Sequence, residues 1–204
     1  MHFFILYLFS HLKKVVPTLL NLKIQVMENK VSIWKANLNT GLILGLLGIV
    51  WTLFLWFIDQ TLNQALGYVF FIVIIAGLVL GIRSYRDKYK NGFITYGHSL
   101  GAGVIIMLYY SIITAAFTFI LYSYIDPGLT DKMLAMTEMK MLEKGLPESM
   151  IEQSLKMSAK FMAPWLMAIS GIFGGVLMGT ILSLIVSIFT RKEGNPLIDD
   201  SIEE

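Results

Sequence analysis

Four stretches of this chain carry no Asp, Glu, Lys or Arg: Ala36–Ile58, Gln60–Ile82, Asn91–Ile125 and Phe161–Thr190. Each reaches or exceeds the roughly 20 helical residues that cross a hydrocarbon core about 30 Å thick. Bilayer interiors offer no water to free backbone amides, so only helices and closed barrels span them. Ala36–Ile58 holds about a dozen Leu, Ile, Val and Phe, each worth roughly −0.3 to −0.6 kcal/mol on insertion, with no central charge in opposition. Composition agrees, because 56% of the 204 residues are hydrophobic and 15% charged, against about 25% charged in soluble domains. The chain reads as an all-α integral membrane protein with four transmembrane helices.

The expected spans are about 37–58, 64–82, 96–125 and 163–189, within a membrane domain covering 30–192. The third and fourth charge-free stretches exceed a perpendicular crossing, which predicts tilt or protruding ends. An interfacial turn is expected at Asn91–Tyr96, and Pro164 suits the first turn of the last helix. Basic residues set the orientation. Lys30 and Lys35 precede span one, Arg83, Arg86, Lys88 and Lys90 follow span two, and Arg191-Lys192 follow span four. The segment Asp59–Gln64 has none. All three basic junctions fall on one side, which predicts cytoplasmic termini. Trp56, Tyr122, Tyr124 and Trp165 then mark the outer interface, and Trp34, Tyr85 and Tyr89 the inner one.

The loop 127–162 is the one extramembrane region of any size between the spans, and it reads as an extracytoplasmic helical hairpin between helices three and four. Thr130 or Asp131 caps its first helix, which runs to Glu143–Lys144; Gly145 closes it, and Pro147 opens a second helix through Met157. Met150, Ile151, Leu155, Ser158 and Phe161 recur at helical spacing in that second helix. Six of the 12 Met lie between Met133 and Met157, a soft surface suited either to resting on the membrane or to binding varied partners. Residues 1–29 form an N-terminal extension, with Met27-Glu28-Asn29-Lys30 resembling a later start. The rival reading is an interfacial amphipathic segment, His11, Lys13 and Lys14 against Leu12, Val15 and Val16. Residues 193–204 form an acidic cytoplasmic tail.

Signs of chemistry are few. The chain has no Cys, which removes disulfides, thiolate catalysis and Cys-held metal. No H-E-x-x-H and no G-x-S-x-G occurs, and no carboxylate or permanent cation lies within a span. The expectation is no catalytic residue, no cofactor and no metal, hence not an enzyme. Without a basic stripe along one face, nucleic acid is not an expected partner. Gly171, Gly175, Gly179, Ser183 and Ser187 stand at every fourth position of span four, a small-residue ridge against which another helix can pack closely. Gly41/Gly45, Gly77/Gly81 and Gly97/Gly101 repeat the spacing in the other spans. A speculative polar site consists of His98, one turn into span three, with Tyr109 and Ser111 in its middle. His98 is otherwise an interfacial side chain bonded to Tyr96 or to backbone. Arg83, Arg86, Lys88 and Lys90 attract anionic lipids at about 1 kcal/mol per residue.

Several segments together resemble a bacterial membrane family known as domain of unknown function 4199. They are Met27–Lys30, Gly41-Leu42-Ile43-Leu44-Gly45, Phe93–Leu100, Tyr124-Ile125-Asp126-Pro127 and Ile181–Val186 followed by Arg191-Lys192. The resemblance runs from about Lys30 to Leu197. It implies a four-helix membrane domain in a bacterial cytoplasmic (inner) membrane and carries no assigned activity. The functional expectation is a non-enzymatic interaction or accessory membrane subunit, either self-associating or bound to another membrane protein. The alternative is a small oligomeric transporter or channel for a neutral or apolar solute.

Overall fold

The computed structural model describes residues 31–193, all of whose regular elements are helical. Helices α1 (Ile33–Phe57), α2 (Gln64–Tyr89), α3 (Tyr96–Ile120) and α6 (Pro164–Thr190) form a bundle; α4 (Gly128–Glu143) and α5 (Glu148–Phe161) pair as a hairpin between α3 and α6. A π turn, Leu121–Ile125, extends α3. The four bundle helices, with that extension, are long and apolar enough to cross a membrane. The N-terminal extension to residue 29 and almost all of the C-terminal tail lie outside the described residues.

Local signals explain most boundaries. The Ser32 side chain accepts from Trp34 N–H, and the Asn63 side chain accepts from Ala65 N–H, so both cap orphan amides at helix starts. Pro164 occupies the first turn of α6, where its missing N–H costs nothing. Asn91 and Gly92 adopt φ of 52° and 82° and reverse the chain between α2 and α3. Both hairpin helices outrun their expected limits. Helix α4 starts at Gly128 with no side-chain cap, ahead of Thr130 and Asp131, because buried Leu129 anchors its first turn. Helix α5 continues past Met157 to Phe161 and stops just ahead of Pro164, whose ring excludes the helical conformation at the residue before it.

Helix α3 lies between α1 and α6. Along α6, Gly175, Gly179 and Ser183 meet Ser111, Met107 and Gly103 of α3 in turn, an antiparallel register that steps four residues on each helix. Along α1, Gly41, Gly45 and Gly48 meet Tyr109, Ile113 and Thr114, a parallel register. Helix α2 closes the group, with Gly77 against Leu44 and Gly81 against Thr40 of α1. Small residues are what such contacts need in lipid, where tails are as apolar as Leu and association rests on close packing.

The interior is mainly apolar, with Leu78, Ile82 and Ile106 fully buried, and what departs from a soluble fold is the exterior. Asn37, Ser99, Ser111, Ser183, Ser187 and Thr190 are buried, while Phe57, Ile72, Phe173 and Phe189 are 84%, 68%, 73% and 75% exposed. Water would penalise that apolar belt at roughly 25 cal/mol per Å²; a lipid bilayer does not. Some buried hydroxyls turn back on their own helices, as in Ser111 to Met107 O and Thr190 to Val186 O, which satisfies them without a partner helix; Ser183 and Ser187 have no such bond. The chain is a multi-pass membrane protein.

Candidate functional site

The expected small-residue ridge divides into two parts. Gly175, Gly179 and Ser183 face α3, and a Cβ built on Gly175 or Gly179 would overlap Ser111 or Met107. Ser187 is fully buried one turn further on. By Gly171 the neighbours have diverged, and a Cβ there would meet nothing within 4 Å; the same holds at Gly174. Most of the ridge is therefore occupied within the chain. In α3 the close contact is made by Gly103, against Ser183, whereas Gly97 meets nothing and Gly101 only Ile33 at 3.5 Å.

The three polar residues His98, Tyr109 and Ser111 are not brought together. The His98 ring nitrogen Nδ1 lies 2.9 Å from Thr95 Oγ1 at the start of α3. Its partner is thus the N-cap hydroxyl, not Tyr96 or backbone, because Thr95 and His98 stand three apart on one helix face. Tyr96 Oη instead donates to Leu184 O at 3.2 Å. Tyr109 points toward α1, its ring edge-on to Trp34 with centroids 6.3 Å apart and its hydroxyl 3.4 Å from Trp34 O. Ser111 points the other way, toward Gly175, and donates to Met107 O at 2.7 Å. Nor do His98 and Ser99 form a dyad, since Ser99 Oγ bonds Thr190 Oγ1 at 2.7 Å. Thr190 and Asn37, both fully buried, were not singled out by pattern, because one polar residue in an apolar helix does not reveal which face it is on.

A concavity lies at the hairpin end. A cavity of about 680 Å³ opens between the α1–α2 connection and α4, lined by Leu62, Ala65, Leu129, Ala135, Met136 and Met139. Gln60, Asn63 and Gln64 supply carboxamides, and Asp59, Lys132 and Lys140 supply charges. Its walls are tied on both sides. Trp56 Nε1 donates to Asp126 Oδ2 at 3.1 Å, linking the ends of α1 and α3. Lys132 Nζ lies 3.2 Å from Asp59 Oδ1, joining α4 to the connection. That second pair is exposed and contributes little energy. Asn63 donates to Gln60 Oε1 at 2.9 Å while capping α2, so the connection is an ordered turn. The other hairpin helix, α5, packs on α4, buries Ile151 and leaves Met150, Met157 and Phe161 outward, with Met139 and Leu142 of α4 also exposed. The chemistry on offer is apolar contact with a few directed polar groups, the composition of a binding site. Among the described residues no three His, Asp or Glu side chains group together as a metal site would need.

No curated protein and no solved structure matches the sequence. Residues 39–192 match the family described as protein of unknown function, DUF4199, a span that starts inside α1 and takes in every later helix. A match over that much of the chain makes this four-helix membrane protein a member of the DUF4199 family.

Proposed function

We propose that this protein is a non-enzymatic interaction or accessory subunit of a bacterial cytoplasmic membrane, and that it engages its partner through the hairpin end. The observation that carries the reading is the cavity between the α1–α2 connection and α4, lined by Met136 and Met139, together with the exposed Met150, Met157 and Phe161 of the hairpin helix packed against α4. Exposed flexible thioethers adapt to differently shaped apolar surfaces. The partner this favours is another membrane protein with an apolar segment just outside the bilayer. Gly175, Gly179 and Ser183 are taken up within the chain, so self-association through the ridge is the weaker form of the proposal. The separated positions of His98, Tyr109 and Ser111 lend no support to a solute pathway through them.

A photo-reactive amino acid at Met139, and separately at Met157, tests this in cells at native expression. One recurrent foreign membrane protein, cross-linked from both positions and absent when the probe sits at Phe173, is the expected result. Adducts with lipid alone would refute the accessory role. Adducts with a second copy alone would favour the homo-oligomer, and with it the transporter alternative.

The orientation belongs to the same proposal. Among the described residues, the end bearing the α2–α3 turn has seven basic residues against two carboxylates, whereas the hairpin end has five against seven. Basic loops are retained in the cytoplasm, so the hairpin faces outward. A periplasm-activated phosphatase inserted after Lys144 is expected to be active, and one inserted after Lys90 inactive. The opposite pattern would invert the assignment.

A further inference from the structure

The basic end of the bundle holds a second concavity, about 420 Å³, walled by Lys90, Phe93, Thr95, His98, Lys192 and Glu193. Its construction joins distant parts of the chain. Gly92 N–H donates to Arg86 O at 3.1 Å and Phe93 N–H to Lys90 O at 3.0 Å, which folds the α2–α3 turn back on itself. Ile94 and Lys192 then exchange both backbone hydrogen bonds, at 2.8 and 3.0 Å, an isolated antiparallel bridge that pins the end of α6 beside the start of α3. Ile94 is buried beneath it. The bridge therefore fixes Lys90 and Lys192 on one cavity although about a hundred residues separate them in the chain.

Both ammonium groups rest against aromatic rings, Lys192 Nζ 5.4 Å from the Phe93 centroid and Lys90 Nζ 5.9 Å from that of Tyr85. Among the described residues neither forms a salt bridge, although Glu193 shares the wall. Thr95 makes no capping bond to the first turn of α3, its hydroxyl being engaged by His98 Nδ1. With Thr95 donating to Nδ1, His98 Nε2–H is a further donor beside the first amides of α3. Two ammonium groups and an imidazole around one concavity suit a tetrahedral oxyanion. Beside it runs an apolar strip: Phe93 is half exposed, and Leu184, Ile188 and Phe189 of α6 face outward. Tyr96 is tied to that strip through Leu184 O. An anion carrying acyl chains meets both surfaces at once, whereas a small soluble anion uses only the first.

We propose that this cavity binds the phosphate of an anionic phospholipid, with Lys90 and Lys192 as its two charged contacts and the acyl chains along α6. The test uses the full chain in detergent, titrated with phosphatidylglycerol or phosphatidylcholine and followed by native mass spectrometry. Lys90→Gln with Lys192→Gln is compared with Arg83→Gln and Lys88→Gln, an equal change of charge outside the cavity. The cavity pair is expected to weaken phosphatidylglycerol binding by roughly tenfold or more, and the outer pair several times less, because its charges do not contact the headgroup and are screened by solvent. Phosphatidylcholine binding should change little in either. Equal losses from both pairs would reduce the effect to diffuse attraction and overturn the site, as would no loss from the cavity pair. Inorganic phosphate binding as tightly as phosphatidylglycerol, and lost in the cavity pair, would overturn the lipid as carrier.

Discussion

Leucine at Gly179 is expected to destabilise the folded bundle by about 3 kcal/mol, near the upper end for overpacking of a close-packed interior, whereas leucine at Gly171 should change stability by less than about 0.5 kcal/mol. The contrast arises because these residues share one helical stripe yet meet different surroundings. A Cβ at Gly179 would overlap the Met107 side chain of α3, Cγ included at 2.5 Å, while one at Gly171 meets nothing within 4 Å. The larger side chain at Gly179 must push α6 off α3 along an interface where helices interlock every fourth residue. Unfolding of the detergent-solubilised protein by denaturant, followed by Trp fluorescence, reads both values. Equal effects at the two positions would show that α6 does not lie against α3 as described. If Gly171→Leu instead dissociates an oligomer while leaving unfolding unchanged, the open end of the stripe is a contact between chains.

The second large effect is expected at Gly41, and its form separates backbone obstruction from side-chain obstruction. A Cβ there would stand 2.5 Å from Tyr109 Cβ and 3.0 Å from the backbone oxygen of Ile106. Neither atom can turn aside, so even Gly41→Ala should cost about 2–3 kcal/mol. Tyr109→Ala should not rescue it, because alanine retains the obstructing Cβ. Gly77 faces the Cδ and Cγ atoms of Leu44 instead. There alanine should cost about 1 kcal/mol, and Leu44→Ala in the same chain should recover most of what the added Cβ costs by removing the obstruction. Both comparisons are double-mutant cycles of the kind that isolate a pair term. Rescue of Gly41→Ala by Tyr109→Ala would mean that α1 and α3 are further apart than this packing has them.

Much of the fold was legible because it depends on local quantities. Charge-free length marks a span, and Pro164 opens a helix wherever the rest of the chain goes. Gly145, with φ of 68°, ends α4 for an equally local reason. The departures were local signals outweighed by packing. Thr130 and Asp131 are good caps, yet α4 begins earlier, at Gly128, with Leu129 buried in its first turn.

The candidate sites were much less legible. His98, Tyr109 and Ser111 all stand on α3, but His98 lies about three turns before the other two, and each residue of a helix is rotated by about 100° from the last. Tyr109 consequently faces α1 and Ser111 faces α6. The hairpin-end cavity joins residues 59–65 to 129–140, and the basic cavity joins Lys90 to Lys192. No period or motif relates such positions.

By itself, then, the sequence determined that the membrane domain is helical, that four of its helices can span a membrane, where several of them begin, and which family it belongs to. These follow from hydropathy, backbone satisfaction in lipid and capping, each settled within a few residues. Tertiary structure alone decided which glycine pairs are used and by whom. Gly41/Gly45, Gly77/Gly81 and Gly97/Gly101 have the same spacing, yet the first two are closed by neighbouring helices and the last is nearly open. Spacing says only that a helix has a smooth face. Which neighbour arrives there, at what height and with which atom foremost, depends on how all four helices pack together.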